Sequence, residues 1–249
     1  MSKKRNIKIV YQYDGSKFSG FQRQKNGKTV QGEIERIVLK NFSQKINMIS
    51  AGRTDKGVHA MGQVSNFFID EKIPLEIIKK QINKSLAGEV KILSVETVND
   101  EFSARFDAKS RTYLYIMKKE EEITPFEASY VAKIKKDIKL EIFRKIINTF
   151  IGKHDFSSFM KKDRALRNTV REIYEIKCIY SITEKKYYIE ISGSSFLKTM
   201  VRIMIGTALD AYFKGGKEDY IKQKLENPNV EQRKILSPAE GLYLYKVNY

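Results

Sequence analysis

Ten consecutive residues, Ala51-Gly52-Arg53-Thr54-Asp55-Lys56-Gly57-Val58-His59-Ala60, gather a carboxylate, a guanidinium, an ammonium, an imidazole and two glycines. Glycine admits backbone conformations closed to other residues and lets a ligand approach the main chain. An Asp between Arg53 and Lys56 is expected to stay ionised, because neighbouring cations favour the charged form of a carboxyl group. With no second acid beside it, Asp55 suits nucleophilic work better than shared acid–base work. Asp-Lys-Gly is also ordinary turn chemistry, with Arg53 and Lys56 solvated. His59 titrates near neutrality and is a candidate proton carrier. More commonly, a lone loop histidine hydrogen-bonds its own backbone.

Arg202 is a second anomaly, because it interrupts the apolar run Phe196-Leu197-Lys198-Thr199-Met200-Val201-Arg202-Ile203-Met204-Ile205. A buried guanidinium needs a partner, and Arg makes planar bidentate pairs with carboxylates. The alternative is an Arg snorkelling from the helix edge. Tyr113 lies mid-strand, where aromatic residues simply pack well, so the residues alone give it no special role.

The elements that must position these groups follow from periodicity. Alternation of Ile7, Ile9, Tyr11 and Tyr13 predicts a strand over residues 6–13, ended by Asp14-Gly15. A polar loop over 15–28 leads to a helix capped by Thr29, with Val30, Ile34, Ile37, Val38 and Phe42 on one face. A strand is expected from Gly62 to Ile69, a helix opened by Pro74, and a strand from Val90 to Val98. In the second half, Arg111–Met117 reads as a strand and residues 118–136 as a linker or variable loop. Leu140, Phe143, Ile147 and Phe150 mark a helix; two strands near 176–180 and 187–191 form a hairpin. The most apolar helix runs from Phe196 to Phe213, stopped by Gly215-Gly216, and a final strand spans Leu242–Val247. The pattern predicts an α+β fold of two similar α/β halves, 1–107 and 108–249, with a mainly antiparallel mixed sheet covered by helices on one side.

Composition narrows the partners. The 249 residues are 41% hydrophobic and 31% charged, as in a globular protein. No apolar run approaches the roughly 20 residues of a membrane span. One cysteine and two histidines assemble no metal cluster by spacing and allow no intramolecular disulfide. The chain therefore reads as cytoplasmic, without structural metal or membrane partner. A net charge of +17 points to a polyanionic partner, since phosphate contacts release counterions. Lys outnumbers Arg by 35 to 12, a bias that an AT-rich genome also produces. The densest basic run is Lys161-Lys162-Asp163-Arg164-Ala165-Leu166-Arg167, with Arg171 beyond it. Such runs are usually solvated faces; together with Arg23, Arg53 and Arg105 it could instead line a channel for a polyanion, positioning it without reading its sequence.

The loop 51–60 resembles the catalytic loop of the bacterial tRNA pseudouridine synthase A family. Other segments fall in family order: Tyr13-Asp14-Gly15-Ser16, Gly20-Phe21-Gln22-Arg23-Gln24, Thr29-Val30-Gln31, Phe102-Ser103-Ala104-Arg105-Phe106 and Arg111-Thr112-Tyr113-Leu114-Tyr115. So do Gly152-Lys153-His154-Asp155-Phe156-Ser157-Ser158-Phe159, Phe196-Leu197-Lys198-Thr199-Met200-Val201-Arg202 and Gly241-Leu242-Tyr243-Leu244. The likeness covers nearly the whole chain. Two positions depart from it: Lys56 stands where many members carry a small residue, and Phe21 where the family often has Trp.

The resemblance implies isomerisation of uridine to pseudouridine in the tRNA anticodon stem-loop, at tRNA positions 38 to 40, with no cofactor and no metal. It implies Asp55 as the nucleophile, Arg202 as its ion-pair partner and Tyr113 as the aromatic against the target base. Arg23, Arg53, Lys56 and Arg105 are then expected to bind substrate. It further implies a homodimer, and one continuous sheet with a basic cleft between the halves. The rival readings are an RNA-binding module without catalysis, which would lack the loop Asp or the helix Arg, and a pseudouridine synthase of different RNA specificity. A phosphotransferase would show a glycine-rich phosphate loop or paired acids for Mg²⁺, and neither motif is found.

Overall fold

The computed structural model describes residues 3–161, 168–215, 218–228 and 234–249. Strand β1 (Lys4–Tyr13) buries Ile7, Ile9, Tyr11 and Tyr13 along its alternating face. A 3-10 turn at Gly15–Lys17 is capped by Asp14, whose Oδ1 accepts from the Ser16 N–H at 3.0 Å. Helix α1 (Val30–Phe42) starts where expected, because Thr29 Oγ1 accepts from the Gly32 N–H at 3.2 Å. Its buried face carries Val30, Ile34, Ile37 and Val38, each contributing about 1.5–3 kcal/mol by burial. Then come β2 (Ile49–Ser50), β3 (His59–Asp70), α2 (Leu75–Ser85) and β4 (Val90–Thr97).

Beyond these lie β5 (Ser110–Lys119), β6 (Ala132–Ile134), α3 (Leu140–Asn148), β7 (Gly152–Asp155), β8 (Val170–Ser181) and β9 (Lys186–Gly193). Helices α4 (Met200–Phe213) and α5 (Asp219–Glu226) and strand β10 (Leu242–Asn248) complete the described elements. The chain forms two compact units, residues 1–109 with 243–249 and residues 110–242. A division at 107/108 does not anticipate that the terminal strand rejoins the first unit.

In the first unit the strands lie in the order β4-β1-β3-β10. β1 is antiparallel to both β3 and β4, and β10 is parallel to β3, with Tyr243 opposite His59. In the second unit the order is β5-β9-β8-β7, all antiparallel, with β6 added parallel to β5. Both units are α+β with mainly antiparallel mixed pairing, as the hydrophobic pattern predicts.

Three expectations need correction. β3 begins at His59, three residues before the expected Gly62, so the end of the 51–60 motif is already strand. Residues 118–136 are not a linker: β6 pairs with β5, and Val131, Ala132 and Ile134 are buried. The apolar helix begins at Met200 instead of Phe196, because Thr199 adopts a left-handed conformation (φ 67°) that helical backbone cannot contain. Its far end is marked by Gly215 with φ 69°; Gly216 lies outside the described residues.

Candidate active site

The motif 51–60 is held between a strand and a loop. The Ala51 N–H donates to the Val64 carbonyl at 2.9 Å, and Gln63 Nε2 to the Gly52 carbonyl at 2.9 Å. These bonds fasten the entry of the motif to β3. At its centre the Val58 N–H donates to the Asp55 carbonyl at 3.2 Å, closing a tight turn. Gly57 supplies the positive φ of 83° that this turn requires. Asp55 is half-buried at the first position of the turn, while Arg53 and Lys56 are exposed.

The opening segment of the chain braces this turn from the other side. The Tyr13 hydroxyl and Thr54 Oγ1 are 2.7 Å apart, and the Phe21 N–H donates to the Thr54 carbonyl at 3.1 Å. Tyr13 and Phe21 are themselves buried with ring centroids 6.2 Å apart. At Gly15 the approach is so close that a Cβ would lie 2.0 Å from the Val58 carbonyl oxygen. The bracing is thus contributed by residues 13–21. Their family order was the one sequence signal that tied them to the loop.

His59 is buried, and its Nδ1 accepts from the Gly15 N–H at 3.0 Å. With Nδ1 as the acceptor, a neutral ring carries its proton on Nε2. The Asp14 Oδ1 lies 3.4 Å from Nδ1. The ring also stacks on Tyr243 at 4.7 Å. His59 is a structural clamp between motif and opening segment, bonded to a remote backbone group instead of its own.

The other candidates are placed as follows. Arg23 Nη1 donates to Glu35 Oε2 at 2.8 Å, and the buried Glu35 carboxylate also accepts from Gln31 Nε2 and the Met48 N–H. Arg105 is exposed, with its guanidinium 5.2 Å from the centre of the Phe106 ring. In the second unit, Tyr113 on β5 is buried edge-on against Phe196 at 5.0 Å. Arg202 on α4 is half-buried, neither sealed in the core nor lying free on the helix edge. Its Nε donates to the Ser237 carbonyl at 2.9 Å, and its own carbonyl accepts from the Ser237 N–H at 3.1 Å. Beside it, Tyr115 donates its hydroxyl to the Pro238 carbonyl at 3.1 Å, and burial raises its phenol well above the ordinary range. Of the basic run 161–167, Lys162 to Arg167 lie outside the described residues. Arg171 Nη1 donates to the Asn168 and Val170 carbonyls.

Among the described residues no group of three or more His, Cys, Asp or Glu is placed to hold a metal ion. No described helix is long and apolar enough to cross a membrane.

A family model described as tRNA pseudouridine synthase matches residues 9–107 and 146–249. Tyr113 falls between the two matched stretches. A protein from Bacillus cereus named tRNA pseudouridine synthase A 2 is 35% identical over 247 residues, covering 98% of this chain and 99% of the relative. Proteins named tRNA pseudouridine synthase A from a Thermoanaerobacter species and from Borrelia turicatae are 35% and 38% identical. They cover 98% and 95% of this chain, and 100% and 96% of their own lengths.

Proposed function

The chain belongs to the tRNA pseudouridine synthase family, and we propose that it converts uridine to pseudouridine in the anticodon stem-loop of tRNA, at positions 38 to 40. The enzyme is an isomerase: the C1′–N1 glycosidic bond breaks, the uracil turns, and C5 bonds to C1′. The hydrogen on C5 leaves as a proton, and N1 gains one, so the reaction balances without a redox partner. The observation that carries this reading is Asp55 on a turn fixed from both sides, by β3 and by residues 13–21.

Within this reading Asp55 is the nucleophile, attacking the sugar or the base of the target nucleotide. Arg202 pairs with it and holds the carboxylate in line. Its clamp on Ser237 supports that role, because a guanidinium tied at Nε has fewer orientations left to lose. Tyr113 lies against the target base, which must leave its helix at a cost of a few kcal/mol. Arg53, Lys56 and Arg105 are exposed cations suited to the phosphate backbone. Arg23 contributes beside its ion pair with Glu35, since its side chain remains largely exposed. The enzyme works as a cytoplasmic homodimer, without a small-molecule cofactor.

The test is tritium release from tRNA labelled at C5 of uridine, followed by mapping of pseudouridine. Release confined to the anticodon stem-loop, with affinity falling steeply as salt rises, supports the proposal. Release from other regions of tRNA keeps the reaction and overturns the position. No release overturns both.

A further inference from the structure

We propose that Phe106 is a stacking platform for an unpaired base of the RNA substrate, with Arg105 covering one face of its ring. This rests on the reading of the protein as a tRNA-modifying enzyme. Phe106 is 76% exposed, so one face of its ring is open to an incoming base while Arg105 lies against the ring. It does not hang on a loose segment. The Asp107 N–H donates to the Ser103 carbonyl at 3.0 Å, and the Ser103 N–H donates to Asp107 Oδ2 at 2.9 Å, closing residues 103–107 into one turn.

A buried amide ladder fixes that turn to the sheet. Asn66 on β3 donates to Asn6 Oδ1 and to the Phe102 carbonyl, each at 3.0 Å. Its own Oδ1 accepts from the Ala104 N–H at 2.8 Å. Asn6 on β1 donates to the carbonyls of Asn99 and Phe102. Two wholly buried side chains thus satisfy the Asn99 and Phe102 carbonyls and the Ala104 N–H, and the next two residues, Arg105 and Phe106, are exposed.

The position is tied to the candidate active site. Ala104 packs in one buried cluster with Ala51, the first residue of the motif that carries Asp55, and with Val64. The platform is therefore rooted on the same strand, β3, as the reactive loop. Charge selects the occupant. A guanidinium 5.2 Å from the ring centre and a chain of net charge +17 favour a π-faced polyanion over an apolar protein surface. Stacking on a ring is indifferent to base identity, so the platform would take any of the four bases.

The chain contains no tryptophan, so a single Phe106→Trp substitution gives a fluorophore at this one position. Its emission should be quenched as an anticodon stem-loop RNA is titrated in, with a midpoint equal to the dissociation constant measured independently. Phe106→Ala should weaken the same RNA about tenfold, and Phe106→Trp should restore it. Tritium release by the wild-type enzyme is measured alongside. If the enzyme is active but emission of the Trp variant is unmoved by RNA, the platform is wrong. If emission instead depends on protein concentration alone, the ring is an interface between copies of this chain and the inference falls. If the wild-type enzyme is inactive on tRNA, the functional reading fails, separately from any quenching by RNA.

Discussion

The Tyr13 hydroxyl and Thr54 Oγ1 lie 2.7 Å apart, joining the last residue of β1 to the residue before Asp55. β1 and β3 set this meeting, because their register places Tyr13 opposite Ala60, two residues past Val58, which closes the turn begun at Asp55. Tyr13→Phe should cost about 1 kcal/mol of stability, the usual worth of one hydrogen bond. Turnover should fall several-fold while the affinity for tRNA holds, because the ring and its packing are kept. A thermal melt and tritium release measured on the same preparation check this, and an unchanged turnover would show that the brace does not position the loop.

Asp55→Asn should abolish tritium release and leave tRNA affinity within about tenfold, or roughly 1.4 kcal/mol. The turn itself should survive, since its closing bond uses the backbone carbonyl of residue 55 and not its side chain. Removing one negative charge from a basic protein does not weaken its attraction to phosphate. Residual pseudouridine formed by a preparation free of wild-type enzyme would remove Asp55 from the nucleophile's role.

How far the sequence carries can be seen at single residues. The cap at Thr29, the buried alternation of β1 and the helical face of α1 are local, and the α+β class with mixed, mainly antiparallel strands follows from them. The contact of Gly15 with His59 spans 44 residues and depends on strand register, which periodicity does not specify. Arg23 looks like a free cation in sequence because nothing local shows that Glu35, twelve positions on, is buried and needs a counter-charge. The return of β10 as a parallel neighbour of β3 is likewise a tertiary choice. Asp55, Arg202 and Tyr113 are legible in the sequence for different reasons. The first two are anomalies of their surroundings, whereas Tyr113 is an ordinary strand aromatic whose role comes from resemblance alone.

Glu127 gives a pH dependence of known sign. Lys118 Nζ donates to its carboxylate at 2.6 Å, Lys186 Nζ lies 3.2 Å away, and the Thr124 N–H also donates to it. The Lys118 hydrogen bond is the main cause that holds this carboxyl down to about 2, against an ordinary 4.5. A folded-state pKa below the unfolded one contributes stability above the unfolded value, and that stability is lost as pH falls toward the folded value. The melting temperature should therefore decline between about pH 5 and pH 2. Glu127→Gln should lower it at neutral pH and flatten the decline across that window; an unchanged profile would place the pH dependence elsewhere.

Gly206 should be intolerant of even one methyl group. A Cβ there would lie 2.3 Å from the Ile235 carbonyl oxygen and 2.9 Å from the Ser237 nitrogen. Gly206 is one helical turn beyond Arg202, on the same face of α4. The segment that must retreat is the one that clamps the Arg202 guanidinium. Gly206→Ala should cost about 1–3 kcal/mol, as overpacking does. It should also reduce turnover more than tRNA binding. Equal loss in both would show that the segment supports the fold without orienting Arg202.

Arg202 itself distinguishes a pair from a clamp. Arg202→Met removes the Nε donor to Ser237, so some stability is lost whatever else Arg202 does. If it also pairs with Asp55, tritium release should fall about a hundredfold, the usual consequence of misplacing a reacting group. Arg202→Lys restores a charge without the planar fork and should recover activity only in part. The decisive measurement is a double-mutant cycle in stability with Asp55→Asn. Residues in contact couple by about 0.5–3 kcal/mol, whereas independent sites add. A measurable coupling, together with the loss of tritium release, supports the ion pair. Strict additivity would mean that Arg202 acts only through Ser237, as a clamp within its own unit.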